Sequence, residues 1–292
     1  MIEIKGLSKS YGKKVALRDI DLRIEDGSVL GLVGINGAGK STLLRLMSGV
    51  LIPDSGEILV DGEPLLSSEE KRRGIFFLPD DPYYETHATG ETLAGLYALF
   101  YPFDRETFLR YAGIFQTETD KPLRNFSKGM RRRLFLCLAF ACRPRVLYLD
   151  EAFDGLDPAA RLECKRAIIT LQENGGTAVI ASHSLRELED ICDCFALLDG
   201  TRIRSRGRIG ETLESFCRVQ AVFRTDVQAS DLPFECLSFE RTGRVTHIVA
   251  AGDRESVLAA LRALDPLVLE ELPLDFEDYF LCETQSGGGQ DR

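Results

Sequence analysis

The sequence predicts an α/β fold: a mixed sheet core with an antiparallel β subdomain and an inserted helical subdomain, followed by a small α+β domain. Three observations predict it. Continuous apolar runs of strand length at 28–33, 145–149, 177–181 and 195–198 read as strands of a parallel sheet covered on both faces by helices. Segments 2–8, 15–24 and 56–61 alternate polar and apolar residues between the turn pairs Tyr11-Gly12, Asp26-Gly27 and Asp61-Gly62, the pattern of half-buried antiparallel strands. From Glu85 to Ala141 the strand signal vanishes and apolar residues recur at helical spacing, first Leu93, Leu96, Tyr97 and Phe100, then Phe108, Tyr111, Ala112 and Phe115.

These elements set a domain plan. Residues 1–214 form the large domain, with 85–141 as its helical subdomain and Gly207 to Gly210 near its close. Residues 215–283 form the accessory domain, with strands near 217–224, 234–241, 245–250 and 267–271 and a helix over 254–264. The ending, 284–292, reads Glu-Thr-Gln-Ser-Gly-Gly-Gly-Gln-Asp-Arg from Glu283 onward and is expected to be disordered.

Bulk properties narrow the function. The chain is 44% hydrophobic and 28% charged, which suits one large and one smaller globular domain. Its longest apolar stretches, such as Val29 to Val33, fall far short of the ~20 residues a membrane helix needs, so it is not expected to span a bilayer. Met1-Ile2-Glu3-Ile4-Lys5 already alternates as a strand and lacks signal-peptide character, which points to the cytoplasm. The eight cysteines show no C-x-x-C pair and sit mostly in apolar runs, as buried thiols rather than metal ligands or disulfides. Of the formal charge of -10, most lies after Ser215, where seven Arg face fourteen Asp and Glu; an acidic tail argues against direct nucleic-acid binding.

The chemistry starts at Gly34-Ile35-Asn36-Gly37-Ala38-Gly39-Lys40-Ser41-Thr42, a G-x-x-x-x-G-K-[ST] match between an apolar strand and a helix start. Backbone N–H groups cradle polyphosphate, glycines let the chain wrap closely, Lys40 reaches the outer phosphates and Ser41 offers magnesium an oxygen. The motif alone specifies a nucleoside triphosphate. Val146-Leu147-Tyr148-Leu149-Asp150-Glu151 then delivers two adjacent carboxylates at a strand end, Asp150 for Mg2+ and Glu151 for the attacking water. His183 follows another buried strand and is expected on the same edge, donating to the γ-phosphate.

In this order the motifs resemble the ATP-binding cassette (ABC) ATPases over residues 1 to about 214. That family carries a signature usually written L-S-G-G-Q; Phe126-Ser127-Lys128-Gly129-Met130 stands in its place before an arginine-rich helix. The resemblance implies a P-loop ABC-type ATPase using ATP and Mg2+. Ser127 and Gly129 would bind the γ-phosphate held by an opposing subunit, in a homodimer or a heterodimer with a related cassette. Lys128 replaces a Gly, and its charge would favour the phosphate. Tyr11 resembles the aromatic that stacks on adenine, and Asp157 the carboxylate that reaches across the dimer; Asp157 before Pro158 is also a good helix cap.

One further departure from the family pattern matters more. Asp80 stands where the family has a Gln that senses magnesium and water and communicates with the transporter. A carboxylate there is expected to bind magnesium more directly or to leave the water less well placed. The resemblance further implies a separate transmembrane permease, peripheral placement on the cytoplasmic face of the membrane and a role in bacterial export. A soluble ABC ATPase acting outside transport, as in cofactor assembly, and a weakly hydrolysing nucleotide-dependent scaffold remain alternatives on sequence grounds.

Overall fold

The computed structural model describes residues 1–286, with side chains through 283, and divides into two units, Met1–Arg206 and Gly207–Arg292. In the first unit, strands β1 (Ile2–Tyr11), β2 (Lys14–Ile24), β4 (Ser55–Val60) and β5 (Glu63–Pro64) form an antiparallel sheet ordered β2-β1-β4-β5. The second sheet takes β3 (Val29–Gly34), β6 (Ile75–Leu78), β7 (Val146–Asp150), β8 (Thr177–Ala181), β9 (Cys194–Asp199) and β10 (Arg202–Arg208), ordered β10-β9-β3-β8-β7-β6. β9, β3, β8, β7 and β6 run parallel, so their C-terminal ends share one edge.

Every residue of β3, β7 and β8 is buried, which is why these strands lack alternation. Helix α1 (Lys40–Met47) lies between the two sheets. Its Leu43, Leu44, Leu46 and Met47 join Ile2, Ile4 and Leu22 from one sheet and Leu30, Leu32 and Val179 from the other in one core. Each such side chain contributes about 1.5–3 kcal/mol on burial, so the phosphate-loop helix is among the most firmly held elements.

A short helix α2 (Glu69–Arg73) precedes β6. The helical segment consists of α3 (Gly90–Tyr97), α4 (Arg105–Ile114) and α5 (Lys128–Ala141), started by side-chain caps from Thr89, Asp104 and Ser127. α6 (Pro158–Glu173) and α7 (Leu185–Glu189) follow β7 and β8. β10 reads Arg-Ile-Arg-Ser-Arg-Gly-Arg and sits at the sheet edge, where one face needs no apolar residues.

The second unit opens with α8 (Ile209–Glu214), so the division falls at Arg206 rather than at residue 214 as expected; α8 packs against β11 (Phe216–Phe223). β11, β12 (Cys236–Thr242), β13 (Val245–Ala251) and β14 (Pro266–Leu272) form an antiparallel sheet ordered β12-β13-β11-β14. α9 (Arg254–Ala263) buries Val257 and Leu261 against Val219, Ile248 and Ala250. α10 (Phe276–Ser286) carries buried Phe276 and Tyr279 and takes in residues 284–286, the start of the expected tail; the rest of that tail lies outside the described residues.

Candidate functional site

The shared edge of the parallel strands gathers the chemistry. β3 ends at Gly34 and the chain loops into α1, whose start has no side-chain cap and no acidic residue in its first turn. Uncapped helix-start amides beside a positive helix end suit an anion. Gly39 has φ 103°, and a Cβ there would lie 2.8 Å from the Ala16 carbonyl oxygen; a Cβ on Gly37 would meet nothing within 4 Å and would project into open space. The loop is thus closed against β2 on one side and open on the other. That open side is a cavity of about 280 Å³ lined by Tyr11, Asn36, Gly37, Ala38, Gly39, Lys40, Ser41, Thr42 and Glu151, together with Lys14 and Ala16, which the motif gave no reason to single out.

Lys40 is buried, and its Nζ donates to the carbonyl of Gly34 at 2.7 Å. Burial lowers its pKa, with Glu151 and Asp150 opposing the shift. An ammonium held in this way is short of counter-charge, which polyphosphate supplies.

Asp150 is almost fully buried at the end of β7. Burial raises its pKa against the hydrogen bond from the Ser41 hydroxyl, while Glu151 and Asp80 add negative charge. A buried carboxylate beside a hydroxyl is a hard oxygen donor set, and its raised pKa marks an excess of negative charge, so Ser41 and Asp150 fit Mg2+.

Glu151 adopts φ 50°, an uncommon conformation for a non-glycine residue, while its N–H donates to the Ala181 carbonyl at 2.9 Å. The bend brings a Glu151 carboxylate oxygen within 2.9 Å of His183 Nδ1 and 3.3 Å of the His183 backbone N–H. Asp154 joins them, with ligand atoms of all three within 4.8 Å; the sequence had singled out only the other two.

The hydrogen bond and charge of Glu151 raise the His183 pKa above its ordinary 6.5. A raised folded value means that the stabilisation from this pair is complete below about 6.5 and fades as pH rises through the folded midpoint. An NMR titration should show His183 with a midpoint above 6.5, moving down towards that value in Glu151→Gln.

At the start of α5, the Ser127 hydroxyl accepts from the Met130 N–H at 3.2 Å. A Cβ on Gly129 would sit 2.4 Å from the Gly155 carbonyl oxygen, so backbone contacts backbone here and only glycine fits. Asp157 caps α6 through the Ala160 N–H and also pairs with Arg133. None of Ser127, Gly129 and Asp157 lines the cavity around Lys40.

Asp80, expected to serve as a magnesium ligand, is engaged by two cationic side chains. Its Oδ1 lies 2.6 Å from Arg132 Nη2 and 2.9 Å from Lys128 Nζ, and it is not among the residues lining the phosphate cavity. Burial would raise its pKa, but the hydrogen bonds and charges of Lys128 and Arg132 outweigh that and hold it low. The carboxylate is thus already paired with two cations. Lys128, expected to serve phosphate, is in turn held by Asp80.

Comparison with known proteins places these features in a family. The family model described as ABC transporter matches residues 17–154. The chain is 29% identical over 285 residues to the ABC transporter ATP-binding protein YtrB of Bacillus subtilis, covering 97% of this chain and 98% of that one. It is 33% identical to the Nod factor export ATP-binding protein I of Rhizobium johnstonii, covering 97% and 94%. Among solved structures, one described as the ATP binding subunit of an ABC transporter superposes with a TM-score of 0.67 at 28% identity, covering 72% of this chain and 91% of that one. With such similarity along nearly its whole length, and with phosphate cradle, paired carboxylates and signature helix in one fold, the chain belongs to the ABC transporter ATP-binding proteins and is an ATPase.

Proposed function

We propose that two such cassettes close around two Mg-ATP and drive a separate transmembrane permease in the export direction from the cytoplasmic face of the membrane. The observation that carries this reading is the incomplete cradle. Lys40 and the α1 amides line the phosphate cavity from one side only, while a second helix start, Ser127 and Gly129 at the head of α5, lies outside the chain's own cavity. Two copies facing each other would supply what each lacks.

Within each half-site, Lys40 and the loop amides hold the outer phosphates, and Tyr11 offers a ring at the open end for adenine. Ser41 and Asp150 would hold Mg2+, which would supply positive charge against the negative charge developing on the phosphates. Glu151 accepts a proton from the attacking water. His183 keeps the Glu151 carboxylate in place and offers its ring to the γ-phosphate. Asp157, anchored as the α6 cap, is set to meet the partner cassette.

The permease reading rests on chemistry away from the cradle. Leu99 and Phe100, at the end of α3, are 76% and 60% exposed, and Phe100 lines a groove of about 500 Å³ with Arg72, Arg73, Leu96 and Tyr97. A grouped apolar surface edged by Arg72, Arg73 and the Glu69 that pairs with Arg73 suits a protein partner. No helix among the described residues is long and apolar enough to cross a membrane, so the membrane-spanning element would be another chain. Relatives named for Nod factor export support the direction.

The test is co-expression with a multi-span permease. Leu99→Asp with Phe100→Asp should abolish co-purification and permease-stimulated hydrolysis while leaving hydrolysis by the isolated cassette within about twofold, as expected of exposed positions outside the core. Retention of full stimulation would sink the docking assignment.

A further inference from the structure

Two of the departures from the family pattern, Asp80 and Lys128, lie 48 positions apart in the chain yet meet in space. Lys128 and Arg132 are four residues apart on α5 and therefore share a helix face. Both reach the same Asp80 oxygen, at 2.9 and 2.6 Å.

Arg132 does more than pair with Asp80. Its side chain is 1% exposed, and it donates to the carbonyls of Pro79 at 2.9 Å, Asp80 at 2.6 Å and Asp150 at 3.4 Å. A charge so deeply buried is costly unless its donors are satisfied. Here they are satisfied by the loop after β6 and by the end of the strand bearing Asp150 and Glu151. One guanidinium thus ties α5, that loop and the end of β7 together.

We propose that Asp80 is a positioning residue rather than a magnesium ligand. Gripped by Lys128 and Arg132, it fixes the Arg132 guanidinium and so sets the end of β7 that presents Asp150 and Glu151; this rests on those two residues being the hydrolytic pair. A shift of α5 is carried through Arg132 to the carboxylate strand. The two contacts differ in permanence. Lys128 and Asp80 are 56% and 47% exposed and form the adjustable part, since an exposed pair is worth little, while Arg132 is the fixed part.

The experiment is steady-state ATP hydrolysis by the full chain, with Mg2+ titrated at saturating ATP. Asp80→Asn should lower kcat roughly tenfold, the scale of one charge-assisted hydrogen bond, and leave the half-saturating Mg2+ concentration unchanged. Lys128→Gln should lower kcat by roughly two- to fivefold, the scale of an exposed ion pair, and Lys128→Arg should restore it. The double variant Asp80→Asn with Lys128→Gln should be no worse than Asp80→Asn alone, because both act through one contact.

A rise of tenfold or more in the Mg2+ requirement of Asp80→Asn, or a switch to manganese preference, would overturn the proposal in favour of a metal ligand. Losses that multiply in the double variant would overturn the shared contact. Should Asp80→Asn fail to fold, the Lys128 pair of variants decides, because Lys128 is exposed at a helix start: unchanged kcat in Lys128→Gln refutes the grip. Full turnover in Glu151→Gln would instead remove the hydrolytic pair itself, a failure distinct from these.

Discussion

Replacing Glu151 by Gln is expected to cut ATP turnover by about 10²–10⁴-fold, the range that a positioned general base supplies. The change keeps the size of the side chain and an oxygen that can accept from the His183 backbone N–H, so the local fold should persist. What is lost is the ability to take a proton from water. Nucleotide binding relies on Lys40 and the loop amides and should remain. If closure of two cassettes precedes hydrolysis, the variant should accumulate as an ATP-dependent dimer, read by light scattering with and without ATP. Turnover at the level of the unaltered chain would exclude Glu151 from the chemistry.

Replacing Lys40 by Met is expected to weaken ATP binding by roughly 10- to 100-fold, since a charge-assisted hydrogen bond is worth about 1.5–3 kcal/mol and 1.4 kcal/mol is tenfold. Titration calorimetry would measure it. The stability of the empty protein should move the other way. A lysine whose folded pKa is depressed by burial opposes folding in its charged form at neutral pH, so an apolar side chain of similar length should hold or raise the ligand-free thermal midpoint. A variant that lost ATP binding together with a large fall in thermal midpoint would instead show that Lys40 is needed for folding.

Much of this site was legible in the sequence because its parts are local. Gly34 to Thr42 and Asp150-Glu151 are contiguous strings whose geometry follows from a strand end and a helix start. The parallel core was legible because β3, β7 and β8 are buried on both faces and so apolar throughout. Where burial falls on one face or none, legibility fell too. The arginine-bearing edge strand β10 offers almost no apolar alternation, and α10 follows Pro273 with only part of one face buried.

Asp80 shows a different limit. Its place in the chain invited comparison with a magnesium-sensing Gln, and its charge suggested a metal. The neighbours that engage it, Lys128 and Arg132, belong to a helix that only the folded chain brings near. Two substitutions that look unrelated in the chain are joined by one hydrogen-bonding cluster. Asp154 escaped notice for a similar reason, since it meets His183 only after the bend at Glu151.

That bend also has an evolutionary consequence. Glu151 holds φ 50°, where glycine or asparagine would sit with less strain, and left-handed conformations cost other residues roughly 1–2 kcal/mol. Selection for thermal robustness alone would therefore push this position away from glutamate, and selection for turnover would hold it there. With the hydrolytic role proposed for it, a glutamate here costs the resting fold stability, and improved variants obtained by stability screening should be checked at this codon first.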